Sequence, residues 1–252
     1  MRIAIITGAS SGMGREFVKQ IDAAESFDEI WVIARRKERL EELCDECKNK
    51  IRPIALDLMN KESFDEYEAL LKNENPDVAV LVNGSGFGRF GAFEDIDLKT
   101  QLDMIDLNDK ALVAMTYLTL PYMKNGGKIY QIDSLSSFQP VPYIGVYGAT
   151  KAFVLSFSRA LNVELKKRGI KVIAICPGWV RTEFFDRAVT DNTITYYNKY
   201  YDSDEVVRRA LSDMKKGRDV SVCGFSTRMQ VRLTKILPHR LVMKIWCKQQ
   251  KK

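Results

Sequence analysis

The sequence is short of the residues that build most metal sites and disulfide frameworks. It holds a single histidine, His239, and five cysteines, an odd number scattered along 252 residues. Cys44-x-x-Cys47 has the spacing of half a zinc site or of a redox pair, but no second pair of ligands follows it. We therefore expect no metal, and free thiols in a reducing compartment.

Long apolar runs are also missing. The first apolar stretch, Ile3 to Ile6, is followed at once by Thr7-Gly8 and is too short for the apolar part of a signal peptide. No stretch approaches the ~20 apolar residues that cross a bilayer. With 46% hydrophobic and 29% charged residues, the chain is expected to be globular and cytoplasmic.

Acidic residues are absent from the end of the chain. From Arg228 to Lys252 there are eight Lys and Arg and no Asp or Glu, whereas the whole chain has 39 basic and 33 acidic residues. The basic charge therefore belongs to this tail, and the rest of the chain is close to neutral. That distribution disfavours a protein that coats nucleic acid, so no nucleic-acid partner is expected.

The tail, defined as residues 227–252, reads as a basic amphipathic extension of a domain over residues 1–226. Apolar and basic residues fall on different faces of its predicted last helix, with Pro238 breaking the helix before it. This pattern fits a helix lying on a membrane surface. It also fits a helix docked on its own domain or on a neighbouring subunit, which is the favoured interpretation.

The rest of the chain alternates short β-rich apolar runs with amphipathic stretches of helical length. This alternation predicts an α/β fold, a doubly wound parallel sheet (Rossmann fold) in a single domain. The strands are predicted near residues 2–6, 29–34, 51–56, 78–82, 128–132, 171–176 and 220–223.

A glycine-rich turn lies between the first strand and a helix that is predicted from Arg15 onward. Gly8, Gly12 and Gly14 form the pattern Gly-x-x-x-Gly-x-Gly. Glycines there allow a tight turn and the close approach of a pyrophosphate to the helix N-terminus. Since the strand and the helix supply the context that this motif needs, the turn predicts a dinucleotide site.

The second strand ends in Ala34-Arg35-Arg36, where sites selective for NAD place an acidic residue. Guanidinium groups suit a 2′-phosphate, so these arginines predict NADP(H) as the cofactor. The alternative is that Arg35 and Arg36 only begin a solvated helix.

Tyr147 and Lys151 lie one helical turn apart, downstream of Ser134. A free phenol has a pKa of about 10, and a nearby ammonium group would lower it. With Ser134 holding a substrate oxygen, these residues could form a general acid/base for a carbonyl or carbinol. Tyr-x-x-x-Lys alone is a weak signal, since the pair also occurs by chance on helices.

Taken together, these motifs resemble the short-chain dehydrogenase/reductase family over roughly residues 1–225. The resemblance implies Asn108, Ser134, Tyr147 and Lys151 as catalytic residues. It implies cofactor contacts at Gly8, Ser10, Ser11, Gly12, Met13, Gly14, Arg35, Arg36, Asp57, Leu58, Asn83, Gly84, Tyr147, Lys151, Pro177, Gly178, Val180 and Thr182.

Four of these positions have particular implications or alternatives. In the family, an aspartate at the position of Asp57 contacts the adenine edge of the cofactor. In this chain, Asp57 could instead be the N-cap of the helix at 60–73. Asn83-Gly84 replaces the family's usual Asn-Asn, which puts a contact supporting the sheet in question. Asn108 interrupts a predicted helix at 97–118, where the family's asparagine holds a water beside the lysine; a surface or capping role is the alternative.

Two neighbouring features complete the predicted site. Asp133 precedes Ser134, and strand alternation would place its side chain on the opposite face, in a structural role. Residues 183–203 carry six aromatic side chains, which suggest a lid over a hydrophobic substrate. An aromatic oligomer surface or simple packing is the alternative.

We therefore expect an NADP(H)-dependent oxidoreductase that interconverts a ketone and a secondary alcohol on a hydrophobic, sterol-like or lipid-like substrate. The expected assembly is a homo-oligomer, a dimer or a tetramer, with peripheral membrane contact through the tail left open. The runner-up is a reductase of acyl or quinone-like carbonyls. A remote alternative is a nucleotide-binding scaffold without turnover.

Overall fold

The protein is described from a computed structural model that covers residues 1–189, 191 and 193–252. Thr190 and Asn192 of the predicted lid lie outside the described residues. The strands are β1 (Arg2–Thr7), β2 (Glu29–Ala34), β3 (Ile51–Ala55), β4 (Asp77–Asn83), β5 (Lys128–Ile132), β6 (Lys171–Ile175), β7 (Trp179–Val180), β8 (Tyr200–Tyr201) and β9 (Val220–Ser221).

Ten α-helices connect and cover these strands within the described ranges. They are α1 (Gly12–Ala24), α2 (Lys37–Glu46), α3 (Lys61–Glu74), α4 (Leu98–Ile105), α5 (Ala111–Thr119), α6 (Gly145–Glu164), α7 (Phe184–Ala188), α8 (Ser203–Lys215), α9 (Phe225–Ile236) and α10 (His239–Gln249).

Seven strands form one sheet in the order β3-β2-β1-β4-β5-β6-β9, and every neighbouring pair is parallel. The chain runs outward from β1 to β3 and then returns to place β4 on the other side of β1. This reversal opens a crevice at the carboxyl ends of β1 and β4, where such folds bind ligands. The predicted doubly wound parallel sheet in a single domain is confirmed.

The sheet buries apolar side chains on both faces because they alternate along each strand. In β1, Ala4 and Ile6 join a core cluster with residues of α1, α2 and α8. Ile3 and Ile5 join a second cluster with residues of α3, α5 and α6. Helices on both faces explain why the strands read as nearly continuous apolar runs.

The helix predicted over residues 97–118 is interrupted at Asn108. A π-helical turn over Asp106–Lys110 separates α4 from α5 and shifts the backbone hydrogen-bond register by one residue. Asn108 is buried within this turn. The local break that an asparagine in a helix interior suggested is therefore present.

The tail docks on the protein's own body. Trp246 Nε1 donates a hydrogen bond of 3.0 Å to the Pro142 carbonyl, and Gln250 Oε1 accepts from the backbone N–H groups of Thr195 and Tyr196. Pro238 separates α9 from α10, as its missing N–H predicts. Helix α9 begins at Phe225, two residues before the predicted start of the extension. No described helix is long and apolar enough to span a membrane.

A stability prediction follows from Asp213, whose side chain is 1% exposed where α8 meets β9. Its carboxylate accepts hydrogen bonds from Arg209, Arg218 and Ser221 at 2.7 to 2.9 Å. Asp213→Ala leaves these donors without a buried partner and should lower the free energy of unfolding by about 3 kcal/mol in urea titrations.

The control for this variant is Asp204→Ala on the same helix. Asp204 forms an exposed pair with Arg208, so its loss should cost less than about 1 kcal/mol. Equal losses in the two variants would show that the buried network does not anchor α8.

Candidate active site

A cleft of about 640 Å³ opens at the carboxyl edge of the sheet. It runs from the glycine turn after β1, past the ends of β2 and β3, to Ser134 and Tyr147. Nearly all of the predicted site residues line this cleft, although they come from widely separated parts of the chain. Asn83 and Asn108 are the two that do not.

The glycine turn brings three backbone segments into direct contact. A Cβ added at Gly14 would lie 2.2 Å from the Gly8 carbonyl oxygen, and one added at Gly8 would lie 2.5 Å from the Gly84 carbonyl oxygen. Gly8 and Gly12 also have positive φ angles of 68° and 53°. Only glycine satisfies both the spacing and the conformation here.

The N-terminus of α1 opens onto the cleft with its backbone donors available. Ser11 at the N-cap makes no side-chain cap hydrogen bond, and the first turn carries no acidic residue. These uncapped N–H groups and the bare glycine surface fit the pyrophosphate of a dinucleotide. Ser10, Ser11, Gly12 and Met13 line the cleft at this point.

Arg35 and Arg36 follow β2 and line the cleft. Arg36 donates to Glu183 Oε2 at 2.9 Å and to the Ser10 hydroxyl at 3.2 Å, so it bridges the glycine turn and the start of the predicted lid. Arg36 is also the residue that precedes α2. Arg36 therefore both lines the cleft, as the cofactor prediction requires, and stands at the start of a helix, as the alternative stated.

Asp57 and Leu58 line the cleft after β3. Asp57 Oδ1 accepts a hydrogen bond of 3.2 Å from the Met59 N–H. Helix α3 begins at Lys61, with Asn60 in the N-cap position. The alternative of Asp57 as the N-cap is therefore wrong, since that position falls three residues later.

The Asn83 side chain points away from the cleft, into a buried polar group between β4, β5 and α5. Its Nδ2 donates to Thr116 Oγ1 and to Gln131 Oε1, both at 2.9 Å. The Asn83 side chain, predicted to contact the cofactor, therefore does not line the cleft. Gly84 does reach the cleft, because Thr7 Oγ1 accepts the N–H groups of Gly84 and Ser85 and holds β4 against β1.

Ser134, Tyr147 and Lys151 meet at the end of β5. Ser134 follows the strand directly, and Tyr147 lies in the first turn of α6. Lys151 is buried one turn later, with Nζ donating to the Ile132 carbonyl at 2.9 Å and lying 5.7 Å from the centroid of the Tyr147 ring. The spacing predicted for Tyr147 and Lys151 thus brings a phenol, an ammonium group and a hydroxyl to one place.

The expected lowering of the tyrosine pKa is not observed. Burial raises the pKa of Tyr147, the Ser134 hydroxyl acts in the opposite direction, and the charge of Asp133 raises it further. Burial also lowers the pKa of Lys151, although the carboxylates of Asp133 and Asp109 oppose that change. Desolvation is the largest effect on both residues, because burial disfavours the phenolate of Tyr147 and the ammonium of Lys151 alike.

Asn108 lies behind Lys151. Its Oδ1 accepts from the Phe87 N–H at 3.0 Å, while Nδ2 donates to the Phe87 carbonyl and to Thr150 Oγ1. A Cβ on Gly86 would lie 2.9 Å from Asn108 Oδ1 and 3.8 Å from Lys151 Nζ. Asn108 is therefore a neighbour of the lysine, and its side chain is not free on the surface.

The short chain dehydrogenase family matches residues 2–193 of this chain, a span that includes the glycine turn, Ser134, Tyr147 and Lys151. The protein belongs to this family. The chain is 36% identical over 190 residues to an NADP-dependent 3-hydroxy acid dehydrogenase of Escherichia coli, covering 72% of this chain and 74% of that protein.

Two solved structures resemble the fold along most of its length. A short-chain dehydrogenase from Sphingobium yanoikuyae in complex with NADPH has a TM-score of 0.80 and 28% identity, over 94% of each chain. The bulky-bulky ketone specific alcohol dehydrogenase from Comamonas testosteroni has a TM-score of 0.75 and 27% identity, over 94% of this chain and 92% of that one. The predicted family is confirmed, and the protein is an oxidoreductase that uses a nicotinamide cofactor.

In this short-chain dehydrogenase, Asp133 lines the cleft together with Ser134, although strand alternation predicted its side chain on the opposite face. Its buried carboxylate accepts a hydrogen bond of 3.1 Å from the Cys176 thiol and lies within electrostatic range of Lys151 and Tyr147. Because β5 ends at Ile132, the alternation that would place the Asp133 side chain on the face opposite Ser134 does not extend to this residue. Burial raises the pKa of Asp133 to about 7.

The turn after β6 closes the dehydrogenase cleft on the far side. Pro177, Gly178, Val180 and Thr182 line it, and the Thr182 side chain faces the glycine turn, 3.2 Å from a Cβ built on Gly12. The predicted contacts after β6 and after β1 therefore face one another across the cleft.

Aromatic side chains form the wall next to Tyr147. The ring centroids of Phe184 and Phe90 lie 5.6 and 5.9 Å from that of Tyr147. Of the six aromatic residues in the predicted lid, Phe184, Phe185 and Tyr196 line the cleft. Tyr201 instead enters the core and hydrogen-bonds Thr227, so the aromatic stretch contributes both to the site and to simple packing.

The tail helices supply a wall of the cleft that sequence reasoning did not assign to the site. The contributing residues are Gln230, Leu233, Thr234, Leu237, Val242, Ile245, Trp246 and Gln249. Trp246 stacks on Trp179, with ring centroids 6.5 Å apart. The amphipathic pattern of the tail indicated docking, but it carried no information about where the helices dock.

Asp133 predicts a pH dependence of stability. Since its pKa is about 7 in the folded enzyme and 3.8 ordinarily, the folded state binds the proton more tightly than the unfolded state. Its contribution to stability is therefore lost as pH rises from about 4 to about 7. Asp133→Asn should raise the urea midpoint relative to the unmodified enzyme at pH 8, with a smaller gain at pH 5.

The matched control is Asp95→Asn, which neutralises an exposed carboxylate and should leave the difference between the two pH values unchanged. A gain for Asp133→Asn that is equally large at both pH values would contradict an ionisation effect.

Proposed function

We propose that the enzyme interconverts a ketone and a secondary alcohol on a hydrophobic, sterol-like or lipid-like substrate, with NADP(H) as its cofactor. The observation that carries this proposal is the position of Tyr147. Its phenol lies beside Ser134 and Lys151 at one end of the dinucleotide cleft, against an apolar aromatic wall.

Each residue of the site would have a separate role that follows from its position. The nicotinamide supplies the hydride acceptor or donor when it is bound, and the protein supplies orientation and proton transfer. Ser134 would hold the substrate oxygen next to the Tyr147 hydroxyl, which gives or takes the proton. The buried ammonium of Lys151 would favour the phenolate as the proton leaves.

Proton exchange with solvent would pass behind Lys151. The π-helical turn, Asn108 and the half-buried Asp109 lie on that side, and burial raises the pKa of Asp109 to about 7. A carboxyl group with that pKa can bind and release a proton near neutral pH. We propose Asn108 as the residue that orders this path.

The preference for NADP(H) is supported by the positive groups at the end of β2. Arg35 and Arg36 line the cleft with Arg187, and burial together with the like charge of Arg35 lowers the pKa of Arg187. The NADPH complex of the Sphingobium yanoikuyae relative and the name of the Escherichia coli relative support the same choice.

The class of substrate is supported by the cleft walls. Phe87, Phe90, Val141, Ile144 and Phe184 surround the space next to Tyr147. The Comamonas testosteroni relative is a bulky-bulky ketone specific alcohol dehydrogenase. The runner-up, reduction of acyl or quinone-like carbonyls, is separated from this proposal by a panel of carbonyl substrates followed through NADPH absorbance.

We further propose a homo-oligomer in a cytoplasmic compartment. Leu98, Leu102 and Ile105 form an exposed apolar face of α4, at the spacing of one helical face, which suits a contact with a second copy. The five free cysteines favour a reducing compartment.

The catalytic proposal is tested with Tyr147→Phe, which removes the phenol and keeps the ring. Turnover of a ketone should fall by about 10²-fold or more, while NADPH binding, followed by nicotinamide fluorescence, changes little. Tyr117→Phe, at a residue 75% exposed on α5, is the control. Near-normal turnover of the Tyr147 variant would remove this residue from the mechanism.

Cofactor choice is tested with Arg35→Asp. The change removes a cation from the cleft and adds an anion, so NADPH affinity should fall roughly 10- to 100-fold and the preference over NADH should weaken or reverse. Arg208→Asp makes the same change of charge on α8, away from the cleft, and should leave both affinities unchanged. Equal affinity of the unmodified enzyme for NADPH and NADH would refute the proposal.

A further inference from the structure

Helix α9 is turned with its apolar stripe toward solvent. Phe225, Met229, Leu233 and Ile236 share one helical face and are 71%, 36%, 51% and 78% exposed. The face that packs on the body is instead formed by Thr227, Val231 and Thr234. A helix that only docks on its own domain would bury the first set and expose the second.

Helix α10 extends this apolar surface. Leu241 and Ile245 are each 44% exposed, whereas Val242 is buried and Trp246 is hydrogen-bonded to Pro142. The two tail helices therefore have separate inward and outward apolar faces. Docking on the body and contact with an external surface are compatible.

Positive charge surrounds the outward surface. The tail carries eight Lys and Arg and no Asp or Glu. Within the described ranges, none of these cations forms an ion pair, although many lysines and arginines elsewhere do. This concentration of unpaired cations beside exposed apolar side chains calls for an anionic, partly apolar partner.

The outward surface is continuous with the substrate cleft. Leu233 and Ile245 are half-exposed and also line the cleft, together with Leu237 and Trp246. An apolar molecule could pass between the surface and Tyr147 along these side chains. The apolar stripe thus borders an entrance to the site.

We propose that the outward faces of α9 and α10 bind an anionic lipid surface and hold this entrance of the cleft against it. A second copy of the chain is a poorer occupant, because a two-fold contact of this face with itself would bring the two sets of cations together. Lipid headgroups satisfy the cations while the acyl boundary receives the apolar side chains. The surface contact stands independently, whereas delivery of substrate through it rests on the proposed apolar substrate.

The test is sedimentation of the full-length protein with vesicles of phosphatidylcholine, with and without phosphatidylglycerol. Binding should require the anionic lipid and should weaken as salt screens the cations. Phe225→Ser combined with Ile236→Ser removes two outward side chains that do not line the cleft, and should lower the partition coefficient by about tenfold or more.

The matched control is Phe93→Ser combined with Val163→Ser, which removes two residues that are 73% and 72% exposed elsewhere. It should bind vesicles as the unmodified protein does. Urea unfolding and light scattering of both double variants report folding and assembly. Because vesicle binding is measured without turnover, failure of the proposed reaction would not affect the interpretation of this result.

Several outcomes would overturn the proposal. One is absence of binding to anionic vesicles, and another is equal binding by both double variants, which would indicate adsorption through charge alone. A third is a change of molecular mass in the Phe225 and Ile236 variant with vesicle binding retained, which would assign the stripe to a protein contact.

Discussion

A close approach of backbone between the turn after β1 and the start of α1 sets the position of the elements around the cleft. Gly8, Gly14 and Gly84 leave no room for a Cβ, and the Thr7 hydroxyl joins β1 to the segment after β4. The strand order reverses at this point, so the same contact opens the crevice and aims the α1 N-terminus into it. A side chain at any of these glycines would separate the elements that form the site.

The end of the cleft around Tyr147 shows how burial and charge compete. Tyr147, Lys151 and Asp133 are all buried, and burial shifts each pKa toward the neutral form. Opposite charges limit these shifts, since Asp133 and Asp109 favour the ammonium of Lys151. The proton affinities of these residues are therefore set by their shared burial and by the charges around them, and not by Tyr147 and Lys151 alone.

The tail helices connect this chemistry to the surface. Their inward residues, such as Val242 and Trp246, enclose the substrate end of the cleft, while their outward residues carry the apolar stripe and the cations. The same short segment therefore forms part of the cleft wall and carries an apolar, basic outer surface. The family match ends at residue 193, so this part of the chain lies beyond it.

The sequence alone was sufficient for the parallel sheet, the glycine turn and the spacing of Tyr147 and Lys151, because these depend on local periodicity and on residues close together in the chain. The direction of Asn83, the effect of Asp133 on Tyr147 and the place where the tail docks depended on tertiary structure. Asn83 is turned inward by Thr116 and Gln131, which lie 33 and 48 residues away in the chain. Burial reversed the expected direction of the Tyr147 pKa shift, and burial is a property of the assembled cleft, to which distant segments contribute and which no local pattern encodes.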